Sequence, residues 1–515
     1  MQYENRECCC SESRPAVFLD RDGTLIEDVG VLDSVEKINL FADTADALRL
    51  LQKKYLLFVV TNQSGISQGV LTLEQANRIN GHLNEMLRSE GIVIQEWYVC
   101  PHHRADGCTC IKPNPEFVLR AQHAYGLDLS RSFVIGDHPH DVLTANAQGV
   151  FGLYLLTGHG SRHLPDLAMD KLVFHRISDA AAWIMNCPDA KAGLARQIRE
   201  GAEAIRSGGV AAFPTETVYG LGADAFQPAA VERIFRIKGR PHYNPLIVHI
   251  AELAQLDQLV TAVPASARRL MEAFWPGALT LVLPKCSAVP DLVTGGHNTV
   301  AVRMPAHPIA HELIRLCGTP VAAPSANRFT CTSPTAAHHV KEQLGDQCTV
   351  IIDGGACRVG VESTVITFAG STPVVLRPGG VTVEEIEQLI GNVQTGALSS
   401  EAISQPQSPG MLSNHYAPVT PLAAFAEIPA LYERQRDIGL LLFHPSARTF
   451  AGAVEILSRS GDAREAAANF FAALRRLDAL GLREIVAEYA PAQGLGTAIN
   501  DRLSKAAMGR IQSGE

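Results

Sequence analysis

Short apolar runs that stop at polar or glycine-bearing turns recur along the chain, separated by stretches whose apolar residues fall at helical spacing. In the first third, Ala16 to Leu19, Leu56 to Val60 and Phe133 to Ile135 are expected to be strands. Each runs straight into a polar cluster: Asp20-Arg21-Asp22-Gly23-Thr24, Thr61-Asn62-Gln63-Ser64-Gly65, and Gly136-Asp137 with Asp141 four residues on. Polar residues at several strand C-termini are what an open parallel sheet offers at its ligand edge.

Beyond residue 193 the pattern changes. A helix from Leu194 to Ile205, with Ile198, Ala202 and Ile205 on one side, leads into a buried strand, Val210 to Phe213, which stops at Pro214. The turn Thr215-Glu216-Thr217-Val218-Tyr219-Gly220 follows, then a helix from Pro228 to Ile237 and the string Lys238-Gly239-Arg240-Pro241. Asn244-Pro245 introduces a strand, Leu246 to Ile250, that carries His249. Further strands are expected at Leu279–Leu283, Val300–Val302, Val321–Ala323, Val350–Ile352 and Thr364–Thr367, with helices at Ser266–Phe274 and Ile309–Leu316. Mixed β-β and β-α-β connections predict a twisted mixed sheet with helices packed against it. Residues 396–409 are small, polar and Pro-bearing, a linker composition, and Met411, Leu412, His415 and Tyr416 then interrupt the polarity. A strand at Ile438–Phe443 and helices at Ala463–Leu480 and Ala498–Ala507 predict a small α/β domain at the end.

At 515 residues the chain has room for three or four domains. The boundaries read as a disordered tail at 1–14, an α/β domain at 15–186, a second at 187–395, a linker or lid at 396–418 and the end domain at 419–515. A net charge of −9 argues against a broad nucleic-acid-binding face. No apolar run approaches the ~18 residues of a membrane span. The N-terminus lacks an apolar signal region, and the twelve cysteines show no disulfide framework, which points to a reducing cytoplasm. Cys8-Cys9-Cys10 sits in the polar tail and is assigned no role. Cys100-Pro-His102-His103 with Cys108 and Cys110 is different: three thiolates and one imidazole make a closed tetrahedral site of the structural zinc kind.

The ordered set DxDGT, TNQSG, KP and GD resembles the haloacid-dehalogenase phosphatases, more narrowly their heptose-bisphosphate and histidinol-phosphate branch. The resemblance implies a Rossmann-like domain in which Asp20 attacks phosphorus and Asp22 protonates the leaving oxygen. It also implies Mg²⁺ on Asp20, the Asp22 carbonyl and Asp137, with Asp141 as a candidate outer ligand. Thr61 and Lys112 would bind the transferred phosphoryl group. That branch carries the same cysteine loop, with Cys100, His102, Cys108 and Cys110 as the implied ligands and His103 the less favoured histidine. Ile111, His138 and Gln68 stand where the branch often has cations, which weighs against a bisphosphate substrate and leaves a small phosphate monoester.

The stretches PTETVYGLGADA (214–225), KGRPHYNPLIVHI (238–250), WPGALTLVL (275–283), VAVRMPAH (300–307), APSAN (323–327), SPT (333–335), VESTVI (361–366) and LRPG (376–379) resemble YrdC-like threonylcarbamoyl-adenylate synthases. The SPGMLSNHYAP string and the end domain are similar to the long form of that family. The resemblance implies a sheet curved around a positively lined cavity that takes ATP, L-threonine and bicarbonate. Lys238, Arg240, Asn244, Ser325, Asn327, Thr335, Arg377 and Tyr416 would contact ATP. Thr217, His249, Arg303 and Ser363 would surround threonine. The product would pass to a tRNA threonylcarbamoyl transferase complex, so the chain itself needs no grip on tRNA. Two other readings stay open: a YrdC-like RNA-binding module, and carbamoyl transfer of the hydrogenase-maturation type. Proteins of that last type also carry an acylphosphatase domain and paired CxxC fingers, and neither is evident here.

Overall fold

The strand Ala16–Leu19 (β1) lies inside a six-stranded sheet in the first of two units, Met1–Gly193 and Leu194–Glu515, of the computed structural model. The structure describes residues 14–146, 149–168, 171–186, 190–348, 350–370, 372–395 and 415–508. The cysteines of the N-terminal tail, the 396–409 linker, Met411 and Leu412 lie outside these residues.

In the first unit, β2 (Leu56–Asn62), β3 (Ile94–Cys100), β4 (Phe133–Gly136), β5 (Phe151–Leu155) and β6 (Leu172–Phe174) complete the sheet in the order β3-β2-β1-β4-β5-β6. The pairings are all parallel. The carboxyl ends of β1, β2 and β4 therefore fall on one edge, which gathers Asp20, Thr61 and Asp137. The strands β1, β4 and β5 are buried almost throughout, as a parallel sheet covered by helices requires, while the edge strand β3 includes half-buried and exposed positions.

The second unit holds two sheets. The larger contains β7 (Ala211–Phe213), β8 (Gly220–Asp224), β9 (Ile247–His249), β10 (Leu279–Pro284), β11 (Thr299–Arg303), β12 (Val321–Ala322), β13 (Thr364–Thr367), β14 (Val374–Arg377) and β15 (Gln394–Thr395). Its order is β15-β14-β13-β10-β11-β9-β12-β8-β7, with parallel and antiparallel pairs mixed. Val350–Ile352, expected to be a strand, makes a single bridge from Ile351 to Ala212. Among the described residues its strand partner is the three-residue β7, and Asp353-Gly354-Gly355 follow outside any strand.

The smaller sheet, β16 (Leu422–Phe425), β17 (Ile438–Leu442), β18 (Ala453–Ile456) and β19 (Glu484–Glu488), is parallel in the order β16-β19-β17-β18. The helix Ala463–Asp478 buries Phe470, Phe471, Leu474 and Leu477 in one apolar cluster that also contains Val218, Val361 and Tyr416. Each fully buried side chain of this size contributes about 1.5–3 kcal/mol relative to exposure. That shared core fixes the end domain against the turns that follow β7 and precede β13. Among the described residues no helix is long and apolar enough to cross a membrane.

Candidate functional site

At the carboxyl edge of the first sheet, Asp20, Asp137 and Asp141 bring carboxylate oxygens within 4.8 Å of one another. Lys112 Nζ lies 2.5 Å from Asp20 Oδ1 and 2.6 Å from Asp141 Oδ1, and it also donates to the Val60 carbonyl. One ammonium faces three acids. Burial pushes the Asp20 carboxyl up to about 7, with the Asp141 and Asp22 charges adding to it and Lys112 opposing. Burial, followed by the Asp20 and Asp141 charges, raises Asp137 well above the carboxylate range. A divalent cation would relieve that repulsion, and oxygen ligands suit Mg²⁺. Glycine makes the crowding sterically feasible. A Cβ on Gly23 would stand 2.1 Å from Asp137 Oδ2, and one on Gly158 would stand 2.3 Å from the same atom.

Asp22, also expected here, is held differently. Arg21 grips both of its oxygens at 2.8–3.1 Å, Gln63 Nε2 donates at 2.9 Å and Thr61 Oγ1 at 3.4 Å. The metal-ready carboxylates are thus Asp20, Asp137 and Asp141, while the Asp22 side chain is fixed beside them. Arg21, 1% exposed, was not singled out from the sequence, because an arginine between two aspartates reads locally as charge balance.

The four residues of the cysteine loop come together as expected. Cys100 Sγ lies 3.7 Å from Cys108 Sγ and 3.3 Å from Cys110 Sγ, and the latter two sulfurs are 3.6 Å apart. His102 Nδ1 lies 3.3 Å from Cys110 Sγ and 3.8 Å from Cys100 Sγ. A tetrahedron with Zn–S and Zn–N bonds of ~2.3 and ~2.0 Å has edges of roughly 3.5–3.8 Å, so the donor set fits zinc in type and spacing. His103 instead caps the short turn that follows, accepting from Ala105 N at 3.2 Å.

In the second unit a pocket opens beside β9, β11 and the turn Thr215–Gly220. Of the expected residues, Thr217, Arg240, His249, Arg303, Ser325, Ser363, Arg377 and Tyr416 line it. Lys238, Asn244, Asn327 and Thr335 are buried but are not among the lining residues. Lys238 Nζ lies 2.5 Å from both the Ser325 and Asn327 carbonyls, so its charge supports the APSAN segment from behind. Asn244 accepts from Arg240 Nη2 at 2.7 Å. Among the described residues neither Lys238 nor Arg240 has a carboxylate partner. Burial, with Arg240 next to it, pushes the Lys238 ammonium well down, and burial lowers Arg240 to about 9. Among the described residues, Asn244 Nδ2, His249 Nδ1, Thr335 Oγ1, His415 Nδ1 and Tyr416 Oη are buried with no hydrogen-bond partner. Where the first site is short of positive charge, this one is short of negative charge.

Arg303 is buried in the lining. Its Nε donates to the Gly277 carbonyl, Nη1 to Thr217 Oγ1 at 2.8 Å and Nη2 to Glu216 Oε1 at 2.6 Å. The second Glu216 oxygen accepts from Ala306 N. A guanidinium has five N–H groups, so one donor on each Nη remains for a ligand. Burial, then the Arg303 charge, lowers His249 to about 3 and keeps its imidazole neutral. Thr280 Oγ1 and Ser363 Oγ share a 2.7 Å hydrogen bond, and Arg377 donates to the Ser363 carbonyl. Glu216 and Glu362 lay inside quoted motifs but had been given no role. Only their pairing with Arg303 and Arg502, far along the chain, shows one.

Comparison with known proteins covers both units. Residues 203–379 match the family described as telomere recombination, the Sua5, YciO and YrdC group. Residues 381–508 match the threonylcarbamoyl-AMP synthase C-terminal domain, and 109–180 a HAD-hydrolase-like family. The threonylcarbamoyl-AMP synthase of Bacillus subtilis (strain 168) is 45% identical over 339 residues, spanning 64% of this chain and 98% of the relative. The crystal structure of P. abyssi Sua5 complexed with L-threonine is similar at a TM-score of 0.56 and 44% identity, over 61% of this chain and 94% of that one. A D,D-heptose 1,7-bisphosphate phosphatase from B. bronchiseptica, crystallised with magnesium and phosphate, aligns at 27% identity and a TM-score of 0.32, over 33% of this chain and 98% of its own.

Proposed function

The chain belongs to the threonylcarbamoyl-AMP synthase family, and from there we propose that its second unit converts L-threonine, bicarbonate and ATP into L-threonylcarbamoyladenylate and pyrophosphate. The product serves threonylcarbamoyladenosine formation in tRNA and is handed to a tRNA threonylcarbamoyl transferase complex. The HAD-like phosphatase domain, which we place at 15–186, hydrolyses a small phosphate monoester, and the synthase occupies 187–395 with its end domain at 419–515.

The observation that carries this reading is the pair Lys238 and Arg240, both buried and, among the described residues, without a carboxylate partner, beside a pocket lined by Arg240, Arg303 and Arg377. Such a site is incomplete without a polyanion. Threonine's amine and bicarbonate give a carbamate, whose oxygen attacks the α-phosphorus of ATP and expels pyrophosphate. Little covalent work falls to the protein, so catalysis rests on positioning and charge. Arg240 and Arg377 neutralise the phosphates, with Lys238 adding field through Ser325 and Asn327. The two outward N–H groups of Arg303 hold the threonine carboxylate. Thr217, Ser363 and the neutral His249 orient the amine and carbamate without adding charge. Tyr416 Oη takes a hydrogen-bond partner on the nucleotide, and closure of the pocket keeps water from the carbamate.

In the first unit Asp20 attacks phosphorus, forming an aspartyl phosphate, and Asp22, fixed by Arg21 and Gln63, protonates the leaving oxygen. Lys112 and Thr61 steady the transferred group. Asp20, the Asp22 carbonyl and Asp137, with Asp141 as an outer ligand, would hold Mg²⁺, which would supply the charge neutralisation that lets a carboxylate approach a phosphate dianion.

Incubation of the protein with ATP, threonine and bicarbonate, followed by mass analysis, should yield threonylcarbamoyladenylate only when all three are present. Tight binding of duplex RNA on filters with no threonine-dependent ATP turnover would replace the synthase with an RNA-binding module.

Zinc at the cysteine loop gives a separate expectation. Protein purified without chelators should contain about one zinc per chain, and Cys108→Ser should lower that content and the thermal stability of the first unit only. Elemental analysis that finds no zinc refutes the assignment.

A further inference from the structure

Arg502 lies in the last helix, Leu495–Met508, and is fully buried. Its Nε donates to Glu362 Oε2 at 3.1 Å, and its Nη1 donates to the Pro378 carbonyl at 2.5 Å. Its guanidinium carbon stands 5.3 Å from the centre of the Tyr416 ring. These three contacts have a common geometry. Glu362 immediately precedes Ser363, Pro378 immediately follows Arg377, and Tyr416 is the third; Ser363, Arg377 and Tyr416 all line the synthase pocket. One side chain of the end domain therefore ties down three pieces of the wall.

The pieces it joins are built for close registry. A Cβ on Gly379 would stand 2.3 Å from the Glu362 carbonyl oxygen and 2.4 Å from the Ser363 carbonyl carbon, so the LRPG turn lies directly on the VEST segment. Ser333 Oγ donates to the other Glu362 oxygen at 2.5 Å. Tyr416 has φ +68°, a left-handed conformation that is strained for a non-glycine residue. Its partner segment shares the strain: Thr330 also has φ +68°, and Ala417 N donates to the Thr330 carbonyl at 2.9 Å. Strained backbone persists where its surroundings over-determine it. Here the surroundings are the Arg502 guanidinium and the Phe471 ring, 5.8 Å from Tyr416, both from the end domain.

We propose that Arg502 is a positioning residue of the synthase reaction, clamping Glu362, Pro378 and Tyr416 so that Ser363, Arg377 and the Tyr416 hydroxyl meet ATP in register. The end domain thereby contributes to the site without touching substrate. This inference rests on the pocket being the nucleotide site, as assigned above.

Arg502→Ala leaves a guanidinium-sized space beside Glu362. It should weaken ATP binding, measured by calorimetry, and lower kcat/KM for ATP by about 100-fold, the scale of a misplacement near 1 Å. Millimolar guanidinium should recover a good part of both, and equimolar urea should not. Arg502→Lys keeps the charge on Glu362 but cannot reach the Pro378 carbonyl as well, and should lose about tenfold, mostly in KM for ATP. It decides the matter if the alanine variant does not fold. Wild-type ATP binding and KM in either folded variant would overturn the proposal. So would a loss in Arg502→Ala that tracks a lowered melting temperature and ignores guanidinium. The reading of the pocket fails differently, through a wild-type protein that binds no ATP.

Discussion

Asp20→Asn should lower phosphatase turnover on the order of 10⁴-fold or more, while threonine-dependent pyrophosphate release stays at the wild-type rate. The substitution keeps the size of the side chain and the hydrogen bond to Lys112, but an amide has no charge with which to attack phosphorus. The local fold should tolerate it well. Lys112 retains Asp141 at 2.6 Å, and removing one acid from a buried trio relieves repulsion. The sign follows from linkage. Burial raises the Asp20 carboxyl to about 7 from 3.8, so ionised Asp20 costs stability that grows as pH rises between those values. Without divalent metal at pH 7, the variant should therefore melt no lower than the wild type. With Mg²⁺ the order should reverse, because the variant loses a ligand. Turnover of p-nitrophenyl phosphate beside a pyrophosphate assay on one preparation checks the first claim. A parallel fall in both activities would show that the two sites are not independent.

Much of both sites was legible because their residues sit at the ends of short apolar runs. Asp20 follows Ala16–Leu19, Thr61 is the last residue but one of Leu56–Asn62, and Asp137 follows Phe133–Gly136, so parallel pairing alone gathers them. The cluster of Cys100, His102, Cys108 and Cys110 was legible as well, since a loop from Cys100 to Cys110 closes on itself. What escaped was long-range pairing. Glu216 finds Arg303 across 87 residues and Glu362 finds Arg502 across 140, and no local pattern marks either partner. Side-chain direction also escaped. No local pattern shows that the helix Pro228–Lys238 ends with the Lys238 ammonium on the Ser325 and Asn327 carbonyls, behind the ATP contact expected of it. The expected strand at Val350–Ile352 had the right residues and too short a neighbour. Strand formation depends on pairing length, which a run of three residues does not reveal.

Arg303→Lys should lower kcat/KM for threonine by roughly 100-fold and leave the KM for ATP nearly unchanged. The argument is a count of donors. Nε, one N–H of Nη1 and one of Nη2 are engaged by Gly277, Thr217 and Glu216, which leaves two donors on adjacent nitrogens. A carboxylate can span those two. Lysine has three donors on a single nitrogen, and Glu216 and Thr217 would take two of them. The substrate would keep one hydrogen bond in place of two, a loss of about 1.5–3 kcal/mol for a bond to a charged group. The positive charge remains, so Glu216 is not left buried and alone, a change that would cost about 3–5 kcal/mol and confuse folding with binding. Arg303 is 4% and Glu216 5% exposed at the side chain, so solvent cannot substitute for the missing donor. Steady-state rates over a threonine titration at saturating ATP and bicarbonate read the effect directly. Threonine analogues sharpen it: an amide in place of the carboxylate should be nearly as poor for the wild type as threonine is for Arg303→Lys. If the lysine variant keeps the wild-type KM for threonine, the carboxylate binds elsewhere, and Arg303 serves only to hold Glu216 and Thr217.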